Sequence, residues 1–253
     1  MDLNDSVIIV TGATSGIGLA TVRLLSQRGA QVVGVARNTA DLVEPGTTVN
    51  GVFTIQADVT DEDAMHAMIK KVHARFGRVD VLINNAGQGY EGSLEFVDES
   101  KLLYLFRLHV LGPLAAMQAV IPIMRRQGGG RIINVSSPTA KLILPRLGAY
   151  SATKAALRCM TLTARKELAK DRIVVSVFYP FITASNFGNN VFHTDEERPL
   201  SDQGMTLPDP DSTEQTAARL VAALSSDKPE VTARGLVYFI SGVVKKKLSG
   251  EAA

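Results

Sequence analysis

A chain of 253 residues that is 45% hydrophobic and 21% charged has the balance of a folded globular protein, which excludes the disordered and fibrous classes. Its net charge of +2 comes from scattered basic residues and leaves no electrostatic footprint for nucleic acid. The one basic cluster, Lys245, Lys246 and Lys247, reads as a solvated tail in preference to a patch for a membrane or partner.

The single cysteine, Cys159, has no partner for an internal disulfide or a metal site, so no metal is expected and a reducing compartment is. On a helix it reads as a small core residue. Residues 1–10 carry acids where a secretory signal would carry bases. The most apolar long stretch, 104–124, is interrupted by Arg107, His109, Pro113 and Pro122, which argues against a membrane span. A cytoplasmic protein is expected.

Taken in chain order, β-branched runs alternate with segments of helical period. Residues 7–10 predict a first strand and 17–28 a helix; 31–35 a second strand, followed at 37–50 by a connection whose Pro45 and Gly46 leave room for at most a short helix. Strands at 51–55 and 79–83 flank a helix at 61–76. A long helix over 101–126 leads to a strand at 131–135, a helix at 149–170 leads to a strand at 173–178, and a helix at 212–224 precedes a last strand at 236–239.

Parallel strands need crossovers, and right-handed crossovers put helices on both faces of the sheet. The expected architecture is therefore α/β: a three-layer, doubly wound parallel sheet of the Rossmann-like kind, with about seven strands in a single domain, 1–253. In such sheets ligands bind beyond the carboxyl ends of the strands, where strand order reverses. Residues 186–211 are polar and aperiodic, too long for an ordinary connection; they are expected to form a substrate lid, with a disordered loop as the alternative.

Between the first strand and first helix stands "VTGATSGIGLA". Glycines there allow a tight turn, close approach of backbone amides to a phosphate, and close helix packing, while the helix N-terminus favours an anion. The turn running from Gly12 through Thr14, Ser15, Gly16 and Ile17 to Gly18 is the candidate pyrophosphate site; a plain tight turn is the alternative. Its T-G-x-x-x-G-I-G spacing differs from the common G-x-G-x-x-G. With "ADVT" at 57–60, "NNAG" at 84–87, "NVSS" at 134–137 and "YSATK" at 150–154, the chain resembles the short-chain dehydrogenase/reductase family over residues 7 to about 185.

The resemblance implies a nicotinamide cofactor. Near the end of the second strand, where an acid would accept an unphosphorylated ribose, the chain reads Val35-Ala36-Arg37-Asn38. The Arg37 guanidinium is suited to paired bonds with a phosphate, so NADP(H) is expected in preference to NAD(H), with Asn38 beside it; Arg37 lying idle on the surface is the alternative. The resemblance further puts Asp58 and Val59 at the adenine and Asn85, Ala86 and Gly87 along the far end of the groove. Asp58 is equally readable as a cap or turn residue, and Asn84 and Asn85 as ties between strands.

Hydride transfer to a carbonyl builds negative charge on oxygen and needs a proton donor and hydrogen-bond donors there. Tyr150 and Lys154, four apart on a helix, share a face, and an ammonium would favour the phenolate and lower the tyrosine's pKa. Ser137, thirteen residues before the tyrosine, completes the catalytic set implied by the resemblance, and Tyr150 and Lys154 also contact the cofactor. An amphipathic surface pair is the alternative for Tyr150 and Lys154 taken alone.

Two positions depart from the family. His109 stands where an asparagine is usual and is readable as a proton relay or as a buried, satisfied ring. Pro180-Phe181 replaces Pro-Gly, which leaves open whether Ile182 or Thr183 faces the carboxamide; Pro180, Thr183 and Ser185 are cofactor-site candidates. Leu142, Ile143, Leu144 and Leu147 suggest a pocket wall for a small-molecule substrate, an apolar ketone or secondary alcohol, or else ordinary core or subunit contact. A homodimer or homotetramer, paired through the helices at 101–126 and 149–170, is implied by resemblance. The rival to an NADP(H)-dependent oxidoreductase is a catalytically impaired dinucleotide-binding or scaffold protein of the same fold.

Overall fold

The computed structural model describes residues 2–39, 51–194 and 209–234. Nine strands and six α-helices alternate among them: β1 (Val7–Thr11), α1 (Gly16–Gln27), β2 (Gln31–Ala36), β3 (Phe53–Gln56), α2 (Glu62–Phe76), β4 (Val81–Asn84), β5 (Gly89–Glu91), α3 (Glu99–Phe106), α4 (Gly112–Gln127), β6 (Gly130–Val135), α5 (Gly148–Glu167), β7 (Ile173–Tyr179), β8 (Val191–His193), α6 (Thr213–Ala223) and β9 (Glu230–Thr232). Seven strands form one parallel sheet in the order β3-β2-β1-β4-β6-β7-β9. The chain winds outward from β1 in one direction and from β4 in the other, so strand order reverses between those two and opens a crevice at their carboxyl ends.

Residues of β1 serve both faces of the sheet. Val7 and Ile9 pack with Met65, Met68 and Val72 of α2, with Ala115, Ala116 and Val120 of α4, and with Ala164 of α5. Ile8 and Val10 pack with Val22 and Leu25 of α1 and Leu220 and Val221 of α6. Burial on both sides explains why β1 is continuously apolar and not alternating.

Several helix ends follow from local chemistry. The Asp61 carboxylate accepts the Ala64 N–H, Glu62 and Asp63 occupy the first turn of α2, and left-handed Gly77 ends it. Ser212 and Gln215 form a reciprocal capping box on α6.

The expected helix over 101–126 is a continuous helical run from Glu99 to Gln127 that widens to π geometry at Arg107–Leu111, where the Gly112 N–H donates to the Arg107 carbonyl five residues back. Pro113 supplies no N–H, and in an α-helix its ring would meet the carbonyl of His109; the wider turn relieves that clash. Gly112 lies so close to the chain after β3 that a Cβ there would stand 2.2 Å from the Val59 carbonyl oxygen. This is the one run among the described residues long and apolar enough to span a bilayer, and half of it is buried inside the domain.

Two expectations differ. The seventh strand of the sheet is Glu230–Thr232, three residues with no apolar run to announce them; the segment 236–239 lies outside the described residues, as does 40–50. Cys159 is exposed on α5, because the buried stripe of that helix runs through Thr153, Leu157, Thr161 and Ala164 and residue 159 falls on the opposite side.

Candidate active site

At the carboxyl ends of β1 and β4 the chain forms a groove of two cavities, of about 590 and 270 Å³, which share Gly12, Ser15, Ala86, Gly87 and Asn190. Gly12 is left-handed (φ +66°), and a Cβ on Gly18 would stand 2.0 Å from the Gly12 carbonyl oxygen; only hydrogen fits at both places. The turn is tied across the crevice: the Asn85 amide donates to the carbonyls of Thr11 (2.9 Å) and Gly12 (3.3 Å), and the Thr11 hydroxyl accepts the N–H groups of Asn85 and Ala86. Asn84 points elsewhere, donating to Asn134, which in turn donates to Thr161 on α5.

The start of α1 differs from the capped starts of α2, α3 and α6. Ser15 makes no capping hydrogen bond and no acid occupies the first turn, so its amides are open toward the groove beside Gly16 and Ile17. That is the donor set a dinucleotide pyrophosphate requires, and the residues present fit one.

The smaller cavity is lined by Thr14, Arg37, Asn38, Asp58 and Val59 together with Tyr104. Arg37 is exposed and donates to the Tyr104 hydroxyl at 3.4 Å. Asp58 is a turn residue whose carboxylate accepts from the Thr60 N–H and hydroxyl; the cap of α2 is Asp61.

The larger cavity brings together Gly16, Ile17, Gly18, Asn85, Ser137, Tyr150, Lys154, Pro180, Thr183 and Ser185. Ser137 follows β6 and starts a 3-10 turn at Pro138–Lys141, while its neighbour Ser136 donates to the Lys154 carbonyl and locks that strand end to α5. Lys154 is buried and its Nζ donates to the Val135 carbonyl at 3.1 Å, 5.8 Å from the Tyr150 ring centre. Burial pushes the Lys154 pKa down to about 7 and the Tyr150 pKa up to about 12, the latter opposed by a hydrogen bond with Ser137. The tyrosine's pKa is therefore raised, where a lowering was expected: desolvation of the phenolate outweighs the Ser137 hydrogen bond.

His109 sits in the π turn, fully buried, with both ring nitrogens in use. Nε2 accepts the Gln88 N–H (3.1 Å), which leaves the proton on Nδ1, facing the Thr153 hydroxyl (2.8 Å); that hydroxyl donates to the Tyr150 carbonyl. Burial, then the Lys154 charge, holds the imidazole pKa well below its usual value. Neutral and doubly bonded, the ring braces α5 against the loop after β4.

After β7, the Asp211 N–H donates to the Ile182 carbonyl and the Ala184 N–H donates to the Asp211 carbonyl, while Arg219 and Arg234 hold the buried Asp211 carboxylate. Thr183 faces the cavity but its hydroxyl is engaged with the Phe181 carbonyl and Thr216. Ser185 crosses above Gly16, 3.4 Å from where a Cβ on that glycine would lie. Both Ile182 and Thr183 line the cavity.

The described part of 186–211 comprises a 3-10 turn at Asn186–Asn190, β8, which pairs in parallel with β5, and residues 209–211 before α6. It lays the Phe187 ring edge-on to Tyr150, centroids 6.3 Å apart. The proposed wall of Leu142, Ile143, Leu144 and Leu147 is corrected: none of these lines the cavity, and Ile143 is fully exposed. The 3-10 turn after Ser137 carries them away, and the apolar wall is made by Val135, Pro138, Phe181, Ile182, Phe187 and Pro210.

The short chain dehydrogenase family matches residues 6–196. The chain belongs to that family. Among relatives of this short-chain dehydrogenase, an uncharacterized oxidoreductase of Staphylococcus saprophyticus is 31% identical over 83% of the chain and 87% of its own length. Dehydrogenase/reductase SDR family member 7B of Bos taurus is 30% identical over 90% of the chain and 73% of its own. Of solved structures, a short-chain dehydrogenase from Streptomyces avermitilis superposes with a TM-score of 0.85 at 33% identity, covering 97% of this chain and 94% of that one. A 3-ketoacyl-(acyl-carrier-protein) reductase from Brucella melitensis, complexed with NADH, shares the fold at a TM-score of 0.80 and 24% identity, covering 91% of this chain and 97% of that one. The protein is an oxidoreductase of this family.

Sequence reading missed Thr11, Thr139, Thr153, Phe187 and Asn190 of this dehydrogenase. Thr153 had a signal, lying one turn after Tyr150 on the same helix face; Phe187 and Asn190 sit in an aperiodic segment and had none.

Buried Lys154 has a stability consequence. The folded protein loses this proton near pH 7 and the unfolded chain near 10.5, so between those values the unfolded state binds more protons and stability rises with pH. In urea titrations of cofactor-free protein, Lys154→Met is expected to be more stable than the wild type at pH 7. The gap should narrow toward pH 9 by up to about 1.4 kcal/mol per unit; a pH-independent gap would contradict the burial argument.

Proposed function

We propose that this dehydrogenase interconverts an apolar ketone and a secondary alcohol with NADP(H), Tyr150 exchanging the proton with the reacting oxygen. The observation that carries this reading is the convergence of Ser137, Tyr150 and Lys154 on one cavity with the glycine turn and the open amides of α1. The nicotinamide, when bound, supplies or takes up the hydride. Tyr150 keeps its proton at neutral pH and gives it up as alkoxide character develops; Ser137 donates to the same oxygen; Lys154 stands where ribose hydroxyls would be held.

Among the described residues that line the larger cavity, Lys154 is the one charged side chain, which supports an uncharged substrate. The segment 186–211 serves as its lid, Phe187 covering Tyr150 and Asn190 reaching the junction of the two cavities. His109 acts by position, with its ring nitrogens committed to Gln88 and Thr153.

In a panel of hydrophobic ketones, Tyr150→Phe should lower the rate of NADPH oxidation by about 10²-fold or more while NADPH binding, followed by calorimetry, is retained. Tight NADPH binding with no turnover across the panel by the wild type would instead favour a nonenzymatic dinucleotide-binding protein.

NADP(H) is favoured over NAD(H) because Arg37 and Asn38 line the smaller cavity where an acid would repel a 2′-phosphate. Arg37→Asp should weaken NADPH binding by at least about tenfold, the worth of one charge-assisted contact, and spare NADH; equal affinities before and after would refute the assignment.

Leu103 and Leu111, more than half exposed on the outer side of the run from Glu99 to Gln127, support a homo-oligomer paired through that run and α5. Light scattering should return at least twice the chain mass, and a monomer mass would refute it.

A further inference from the structure

We propose that Thr139 is a positioning residue that commits the Ser137 hydroxyl to act only as a hydrogen-bond donor toward the reacting oxygen. The inference rests on the reaction proposed above and adds a residue to its machinery.

A serine hydroxyl has one proton and two acceptor positions, and it ordinarily rotates to suit its surroundings. Ser137 has both acceptor positions filled by a single neighbour. The Thr139 N–H donates to Ser137 Oγ at 3.2 Å and the Thr139 hydroxyl donates to the same oxygen at 2.9 Å. Both residues are buried, at 8% and 7% exposure. The Ser137 proton is left with one direction, into the cavity that it shares with Tyr150.

The backbone makes the arrangement hold. Ser137 has extended geometry (φ −148°, ψ 150°) at the head of the 3-10 turn Pro138–Lys141. Pro138 fixes its own φ and brings Thr139 back over the serine. On the other side, Ser136 is fastened to the Lys154 carbonyl, so the strand end carrying Ser137 cannot swing away from α5 without breaking a buried hydrogen bond. Donation into Ser137 Oγ also strengthens the bond that Ser137 donates onward, since successive hydrogen bonds polarise one another.

The consequence concerns substrate orientation. A carbonyl oxygen only accepts, and meets a serine that only donates. An alcohol oxygen can accept and donate; with Ser137 confined to donating, the alcohol must accept from Ser137 and direct its own proton to Tyr150, which receives it as the phenolate once its own proton has passed to solvent. The chain Thr139 to Ser137 to substrate oxygen to Tyr150 thus has one polarity during alcohol oxidation, and the Tyr150 proton travels along its last link in reverse during carbonyl reduction.

The test compares Thr139→Val, which keeps shape and the backbone N–H but removes the hydroxyl, with Thr139→Ser, which restores it. Thr139→Val should lower kcat about tenfold, the size of one ordered hydrogen bond, with KM for ketone and NADPH within about twofold and the urea midpoint little changed; Thr139→Ser should recover most of the rate. A readout independent of turnover is the Cζ resonance of Tyr150 in cofactor-free protein labelled with [13Cζ]-tyrosine, assigned by its loss in Tyr150→Phe. It should move in Thr139→Val and in Ser137→Ala alike and return in Thr139→Ser. A Tyr150 resonance that moves in Ser137→Ala but not in Thr139→Val, or a wild-type kcat in Thr139→Val, would overturn the role of Thr139 while leaving the oxidoreductase reading intact. Were the wild type to turn over no carbonyl, the proposed reaction would fall, and the resonance would still decide whether Thr139 orients Ser137.

Discussion

The structure depends on the tie between the ends of β1 and β4. Those strands are neighbours at the place where strand order reverses, so the chain leaving them departs in opposite directions and no helix covers the gap. Thr11 and Asn85 close it: one hydroxyl accepts two backbone amides, and one carboxamide donates to two carbonyls of the glycine turn. A side chain at Gly12 or Gly18 would enter that space. What remains is a groove floored by backbone, with the first turn of α1 uncapped along one side.

The opposite side of the groove is built from buried polar residues, and its order comes from hydrogen bonds more than from apolar packing. Asn84, Asn134 and Thr161 link β4, β6 and α5 inside the core. His109 joins the loop after β4 to the second turn of α5 through Gln88 and Thr153. Unsatisfied, each of these groups would cost about 1–3 kcal/mol, so each pairing restricts where α5 can lie. Tyr150 and Lys154 ride on that helix. Their own burial is unfavourable to the charged forms of both, which is the usual relation between a functional site and the stability of the fold that carries it.

The described residues 186–194 and 209–211 join this frame through unlike contacts. Asp211 pairs its backbone with the segment after β7 and its carboxylate with Arg219 and Arg234, and β8 pairs with β5. Phe187 is thereby set edge-on against Tyr150, as is the His109 ring, whose centroid lies 5.7 Å away. The phenol thus touches two rings and lines the cavity.

By itself the sequence determined the alternation of strands and helices, the glycine turn at the end of β1, and the identity of Ser137, Tyr150 and Lys154 as a candidate set, because these are properties of period, spacing and residue type over short distances. It could not determine that β9 is three residues at 230–232, since pairing with β7 and not composition makes that strand. Only the tertiary structure decided that His109 is bonded at both nitrogens, that Cys159 faces outward, that residues 142–147 leave the pocket while Phe181 and Phe187 line it, and that Thr139 occupies both acceptor positions of Ser137. Each of those depends on which groups far apart in the chain are brought within about 3 Å of one another, the range over which hydrogen bonds form and burial is set, and a local pattern carries no such distances.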